Sequence, residues 1–167
     1  VSIPLEDDWS LPKKFSSLIN ANNCQLTFIV NPHAPSGCLM TEQALRGLAS
    51  EIQGILVIDE AYVDFVSDEA HDLVQLAIES DNVVLLRTLS KGYGLAGLRV
   101  GYGIGPAHLI EPMLYKTRDS YNLDAIGQQL AEVALDDQPY AKSVWAKVRF
   151  SRAKLSLQLA DLGLQAA

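Results

Sequence analysis

Three short, almost unbroken apolar runs govern what this chain can become: "QLTFIV" (25–30), "GILVIDE" (54–60) and "NVVLLR" (82–87). A strand with one wet face alternates apolar and polar residues, whereas a run without alternation suits a strand covered on both faces, as in a parallel sheet. Segments with helical spacing lie between the runs. "TEQALRGLASEI" places Thr41 as an N-cap ahead of Leu45, Leu48 and Ile52, and "AHDLVQLAIES" precedes the third run. Strands joined by helical, right-handed crossovers predict an α/β fold with three layers, α/β/α, around a mostly parallel sheet. "LRVGYGIG" (98–105) follows "VVLLR" too soon for a helical crossover, so it is read as one antiparallel edge strand. From Pro106 onward "PAHLIEPMLY", "NLDAIGQQLAEVALDD" and a long segment from Pro139 to about Leu162 read as helices.

Charge narrows the function classes. The chain carries 20 acidic and 13 basic residues, a formal charge of -7, so it lacks the broad basic face that nucleic-acid binding needs. Cys24 and Cys38 form no CxxC or Cys/His cluster and read as reduced, packed thiols. No apolar run reaches the roughly 18 residues of a membrane span, and no charged-then-apolar leader opens the sequence. The expectation is a soluble, cytoplasmic protein with no membrane partner.

Against this acidic average, no acid occurs between Asn82 and Ile110, while Arg87, Lys91 and Arg99 all do. An anion is expected there. In an open parallel sheet ligands bind beyond the carboxyl ends of the strands, and those ends carry Asn31, Asp59, and Arg87 with Thr88. The third opens into a loop holding Ser90 and Lys91. A lysine among small residues, flanked by other cations, suits Schiff-base chemistry with a carbonyl. Asp59 suits pairing with a protonated pyridine nitrogen, and Thr88, Ser90 and Arg99 suit a phosphate dianion.

Three motifs then carry a resemblance. "NPHAPSG" (31–37) resembles an N-P-x-x-P-[ST]-G turn, "DEAY" (59–62) a D-E-x-Y element, and "TLSKGYGLAGLRVGY" (88–102) the lysine-bearing segment of fold type I pyridoxal-phosphate aminotransferases. The last two, with "YNLDAIGQQLAEVALDD", are most similar to the histidinol-phosphate branch of that family. The resemblance implies pyridoxal 5'-phosphate as cofactor, with Lys91 as its covalent anchor and proton carrier. It implies Asp59 at the pyridine nitrogen, Asn31 and Tyr62 at the phenolic oxygen, and Thr88, Ser90 and Arg99 at the phosphate. His33-Ala34 stand where the family usually has Asn-Asn, and Ser36 replaces the commoner threonine. The implied partners are a small-molecule amino donor, a 2-oxo acid and a second subunit in a homodimer. Residues 1–138 then correspond to the central part of an incomplete cofactor-binding large domain, and 139–167 to a long helix leading toward a second domain absent from this chain. An inactive piece of a larger enzyme is the resulting expectation, and "QLTFIV" becomes an edge strand although its composition suits burial. A threonine-phosphate decarboxylase-like lyase and a non-catalytic domain of the same fold are the alternatives.

The remaining polar and aromatic residues receive blander readings. His33 is read as a loop residue, and His71 and His108 as surface residues at helix starts; no histidine pair has metal-ligand spacing, so no metal is expected. The glycines of "GYGLAGLRVGYGIG" follow no first strand and precede no acid, which excludes a dinucleotide fingerprint. Tyr121 and Asn122 either approach the site or shape the turn before the next helix. Trp9 and Trp145 read as packing residues.

Overall fold

The computed structural model describes residues 1–67 and 71–164. Four strands form one sheet in sequential order: β1 (Leu26–Val30), β2 (Ile55–Asp59), β3 (Val83–Thr88) and β4 (Gly101–Ile104). The first three run parallel and β4 returns antiparallel to β3, as the spacing predicts. Register is set by Phe28 beside Val57, Val57 beside Val84, and Leu86 beside Gly103.

Helices α1 (Phe15–Ala21), α2 (Glu42–Glu51) and α3 (Val74–Glu79) pack on one face of this sheet. Their Phe15, Ile19, Leu45, Leu48, Leu76 and Ala77 meet Ile29, Leu56, Ile58, Val83 and Leu85 in the main core. Thr41 caps α2 as expected, its hydroxyl accepting the Ala44 N–H at 3.2 Å. Alternation along β2 and β3 sends Val57, Asp59, Val84, Leu86 and Thr88 to the other face. There β1, an edge strand as expected, leaves Leu26 and Phe28 52% and 66% exposed.

Beyond the sheet, α4 (Ala107–Pro112) runs into a π-helical turn, Met113–Thr117, and α5 (Ala125–Asp136) starts at Asp124, whose carboxylate accepts the Gly127 N–H. The long α6 spans Gln138–Asp161. Ala131 of α5 joins Leu89 and Val100 in a second, smaller core over the loop that follows β3. No helix among the described residues is long and apolar enough to cross a membrane.

Three expectations need correction. The "AHDLVQLAIES" helix is only six residues among the described positions, Val74–Glu79, and Ala70 lies outside them. His71 is not a surface residue: its side chain is 4% exposed, 3.8 Å from the buried Glu60 carboxylate. Cys38 is exposed rather than packed, while Cys24 is half-buried; both are free thiols.

Candidate active site

The site is assembled by strand ends. β1 ends into the Asn31–Gly37 turn, which has cis peptides before Pro32 and Pro35. Asn31 is fully buried, and its backbone N–H donates to the Asp59 carbonyl at 2.9 Å, which joins the ends of β1 and β2. Its side chain is turned to the loop: Oδ1 accepts the Met40 N–H at 2.7 Å, and Nδ2 donates to the Met40 carbonyl at 3.3 Å. One amide therefore closes a nine-residue excursion. His33 leans on this turn, its Nδ1 2.8 Å from the Ser36 hydroxyl and its ring stacked obliquely on Trp9.

Asp59 ends β2 on the open face. One carboxylate oxygen accepts the Ala61 N–H at 2.9 Å, and that is its only side-chain hydrogen bond among the described residues. Next, Tyr62 lies with its ring 5.4 Å below the Lys91 ammonium, close enough for a cation–π contact. Lys91 itself is exposed and forms no ion pair among the described residues. Thr88 closes the start of its loop, its Oγ1 accepting the Ser90 N–H at 3.1 Å and donating to the Val100 carbonyl at 3.3 Å. Arg99 sits in the left-handed region, φ 55°, with one arm donating to the Ala96 carbonyl. No acid pairs with it among the described residues, so its charge is available to an anion.

Arg87 does not belong to this cationic group. Alternation turns it to the helix-covered face, where its Nε donates to Glu60 Oε2 at 2.7 Å. The acid that the third run lacks is supplied by the second, one residue after Asp59. Sequence reasoning missed Glu60; the signal was present in the strict alternation Leu56, Ile58, Glu60.

It also missed Asp64. Its carboxylate occupies the space that a side chain at Gly92 would need, directly after Lys91. Burial pushes the Asp64 carboxyl up to about 6, with Arg87 opposing and Glu60 adding to the shift. Gly92 is held from the other side too, because the Trp145 indole N–H donates to its carbonyl at 2.8 Å. Tyr93 then packs edge-on against Trp145, and its hydroxyl accepts from Gln138 Nε2 at 3.1 Å. Trp145 is thus a packing residue, as expected, and it packs on the lysine loop. Tyr121 is 94% exposed and lines a separate depression with Arg118, Asn122 and Gln128. Among the described residues no His/Cys/Asp/Glu group has the geometry of a metal site.

The mostly parallel sheet, with an amide, a carboxylate and a lysine loop at its strand ends, is of the α/β class. Residues 5–167 match the family of class I and II aminotransferases, and the chain belongs to it. Its relatives place it within that family. It is 50% identical over 163 residues to histidinol-phosphate aminotransferase 1 of Trichormus variabilis, covering 98% of this chain and 45% of that one. The Microcystis aeruginosa histidinol-phosphate aminotransferase is 40% identical, with 98% and 44% covered. Among solved structures, histidinol-phosphate aminotransferase from Sinorhizobium meliloti in complex with pyridoxal-5'-phosphate superposes with a TM-score of 0.90 at 31% identity, over 99% of this chain and 45% of that one. The chain therefore spans less than half the length of the curated relatives it matches. An L-threonine-O-3-phosphate decarboxylase from Porphyromonas gingivalis, at 23% identity and TM-score 0.61, shares the fold alone.

Proposed function

We propose that this chain is the central part of a pyridoxal-phosphate-dependent transaminase that moves the amino group of histidinol phosphate, or a related amino compound, to 2-oxoglutarate in histidine biosynthesis. The observation that carries the reading is the Lys91 ammonium 5.4 Å over the Tyr62 ring, in the loop that follows β3, beside a β2 that ends at Asp59, with Lys91 and Arg99 free of acids among the described residues. That donor set fits the cofactor: an amine for a carbonyl, a carboxylate for a pyridine nitrogen, and a cation with a hydroxyl for a phosphate. The Sinorhizobium relative, solved with pyridoxal-5'-phosphate, supports it.

When bound, the cofactor would supply an aldehyde carbonyl for amine exchange and a pyridine ring as a sink for carbanion charge. The protein's tasks follow from its residues. Asp59 holds a proton at the ring nitrogen, and among the described residues its second carboxylate oxygen has no partner to compete for it. Lys91 anchors the group covalently and moves a proton at the substrate Cα. Tyr62, beneath the ammonium, keeps the lysine stem over the strand ends and offers its hydroxyl to the phenolic oxygen; Asn31 offers the hydrogen of Nδ2 that Met40 leaves free. Arg99 and Ser90 hold the phosphate. Thr88 holds it through the loop it closes, its hydroxyl being engaged at Ser90 and Val100.

On this reading residues 1–138 are the central part of the large domain and 139–167 the helix that leads on from it; α6 begins at Gln138. The working enzyme is a cytoplasmic homodimer, and these residues alone do not turn over. The test runs two assays side by side: histidinol phosphate with 2-oxoglutarate, followed by glutamate formation, and L-threonine-O-3-phosphate, which unlike histidinol phosphate has a carboxylate to lose, followed by carbon dioxide. The full-length enzyme carrying this segment makes glutamate without carbon dioxide, its Lys91→Ala variant makes neither, and the chain alone is inactive. Release of carbon dioxide would assign a decarboxylase instead.

A further inference from the structure

The end of the sheet has a built underside. Because β2 alternates, Asp59 faces the open side and Glu60 the helix-covered side; because β3 alternates, Thr88 faces the open side and Arg87 the covered side. Pairing runs on through this point, since the Glu60 N–H donates to the Leu86 carbonyl at 2.8 Å. Glu60 and Arg87 are thus the immediate neighbours of two proposed site residues, joined by a 2.7 Å bond on the opposite side of the same strand ends.

This pair is an expensive way to hold two strands. The Glu60 side chain is 0% exposed and that of Arg87 21%. Burial pushes the Glu60 carboxyl up, and the Arg87 guanidinium pulls it back only in part. Glu60 Oε1 and His71 Nε2, both buried and 3.8 Å apart, have no hydrogen-bond partner among the described residues. A well-packed apolar pair of similar volume is commonly as stable as a buried ion pair or more so. What an apolar pair lacks is direction: the charge-assisted hydrogen bond from Arg87 Nε to Glu60 Oε2 fixes a distance and an angle.

We propose that Glu60 is a positioning residue, which through its bond to Arg87 beneath the sheet fixes the ends of β2 and β3 so that Asp59 and Thr88 are held in register on the opposite face. The proposal rests on the functional reading above for what Asp59 and Thr88 do. It stands on geometry for how they are held. Asp72, 3.7 Å from Arg87, and His71 extend the tie to the segment before α3, so the segment bearing Tyr62 and Asp64 is fastened at its start and just past its end.

Two amides report on the held side chains without any cofactor: Ala61 N–H, bound to Asp59, and Ser90 N–H, bound to Thr88. Their hydrogen exchange is measured in the intact chain and in a Glu60→Met, Arg87→Met double variant, together with the thermal midpoint. The borohydride-fixed yield of pyridoxal phosphate at Lys91 is measured alongside. The double variant is expected to keep its midpoint, since the apolar pair replaces the volume, while both amides exchange about tenfold faster and fixation falls. Exchange and fixation unchanged at an unchanged midpoint would overturn the proposal, because the tie would then be structural filling. Should the double variant not fold, Arg87→Met alone decides: it keeps the unbranched stem of the side chain but removes the Nε donor to Glu60, and amides protected as in the unmodified chain would overturn the proposal. Absence of fixation in the unmodified chain would count against the functional reading alone, leaving the exchange result to judge Glu60.

Discussion

Asp64 is the residue whose chemistry and position are most at odds with stability. Its carboxyl, raised from 3.8 to about 6 chiefly by burial, holds its proton more tightly in the folded chain than in the unfolded one. Its contribution therefore favours the fold below about pH 4 and is lost as the pH rises through about 6. Asp64→Asn removes that cost while keeping the shape beside Gly92. The variant should melt above the unmodified chain at pH 7.5, with the gain gone at pH 4, in thermal scans followed by circular dichroism. Equal midpoints at pH 7.5 would contradict the burial argument. Arg99 makes the opposite case, an exposed cation whose one side-chain bond among the described residues is to the Ala96 carbonyl. Arg99→Ala should leave the midpoint unchanged and weaken pyridoxal phosphate binding by about 2 kcal/mol, roughly 30-fold, the value of a charge-assisted phosphate contact. Equilibrium titration of the cofactor's absorbance checks it. At this scale the sequence located Asp59 at the end of β2 and Lys91 in the loop after β3, because strand ends are visible as the places where apolar runs stop. It misassigned Arg87 and passed over Glu60 because the anionic partner lies on a neighbouring strand, and only the shared face of alternating residues identifies it.

The elements were more legible than their contacts. Each apolar run became a strand, and Thr41 and Asp124 cap α2 and α5 as their residue types allow. Thr41→Ala should cost about 1 kcal/mol in a denaturant titration, the ordinary value of an N-cap hydroxyl; no change would mean that the packing of Leu45 and Leu48 alone fixes the helix start. The shortened α3 is a different matter: Asp72 caps its own turn, its carboxylate accepting the Val74 N–H at 3.0 Å, so the backbone there is satisfied locally before the helix begins. What no local pattern could disclose is that α6 grips the lysine loop. Trp145 and Gln138 are separated from Gly92 and Tyr93 by 53 and 45 residues, and their hydrogen bonds exist only once the chain is folded.

For the molecule as a whole, the sheet is covered on one side and only in part on the other, where Val57 and Val84 are buried but the edge is not. The helix-covered face is dry, while Leu26 and Phe28 on the edge strand β1 and Leu86 on β3 remain exposed on the opposite face. An edge strand with free backbone groups and bare apolar side chains pairs readily with another chain. This chain is therefore expected to self-associate in solution. Phe28→Lys should shift its sedimentation profile toward a single 18.2 kDa species; an unmodified chain that is already monodisperse at that mass would contradict the expectation. The strand order and the antiparallel return were legible, because crossover lengths dictate them, but which side chains of the second face stay exposed depends on three helices choosing the same side. The account's central claim is that the strand ends build one cofactor site around Lys91. Its most direct test is to add pyridoxal phosphate to the chain, reduce with borohydride, and map the modified peptide by mass spectrometry. A single phosphopyridoxyl group on Lys91, lost in Lys91→Ala and diminished in Asp59→Ala, is the predicted result; label spread over the surface lysines with Lys91 no more modified than the rest would contradict it.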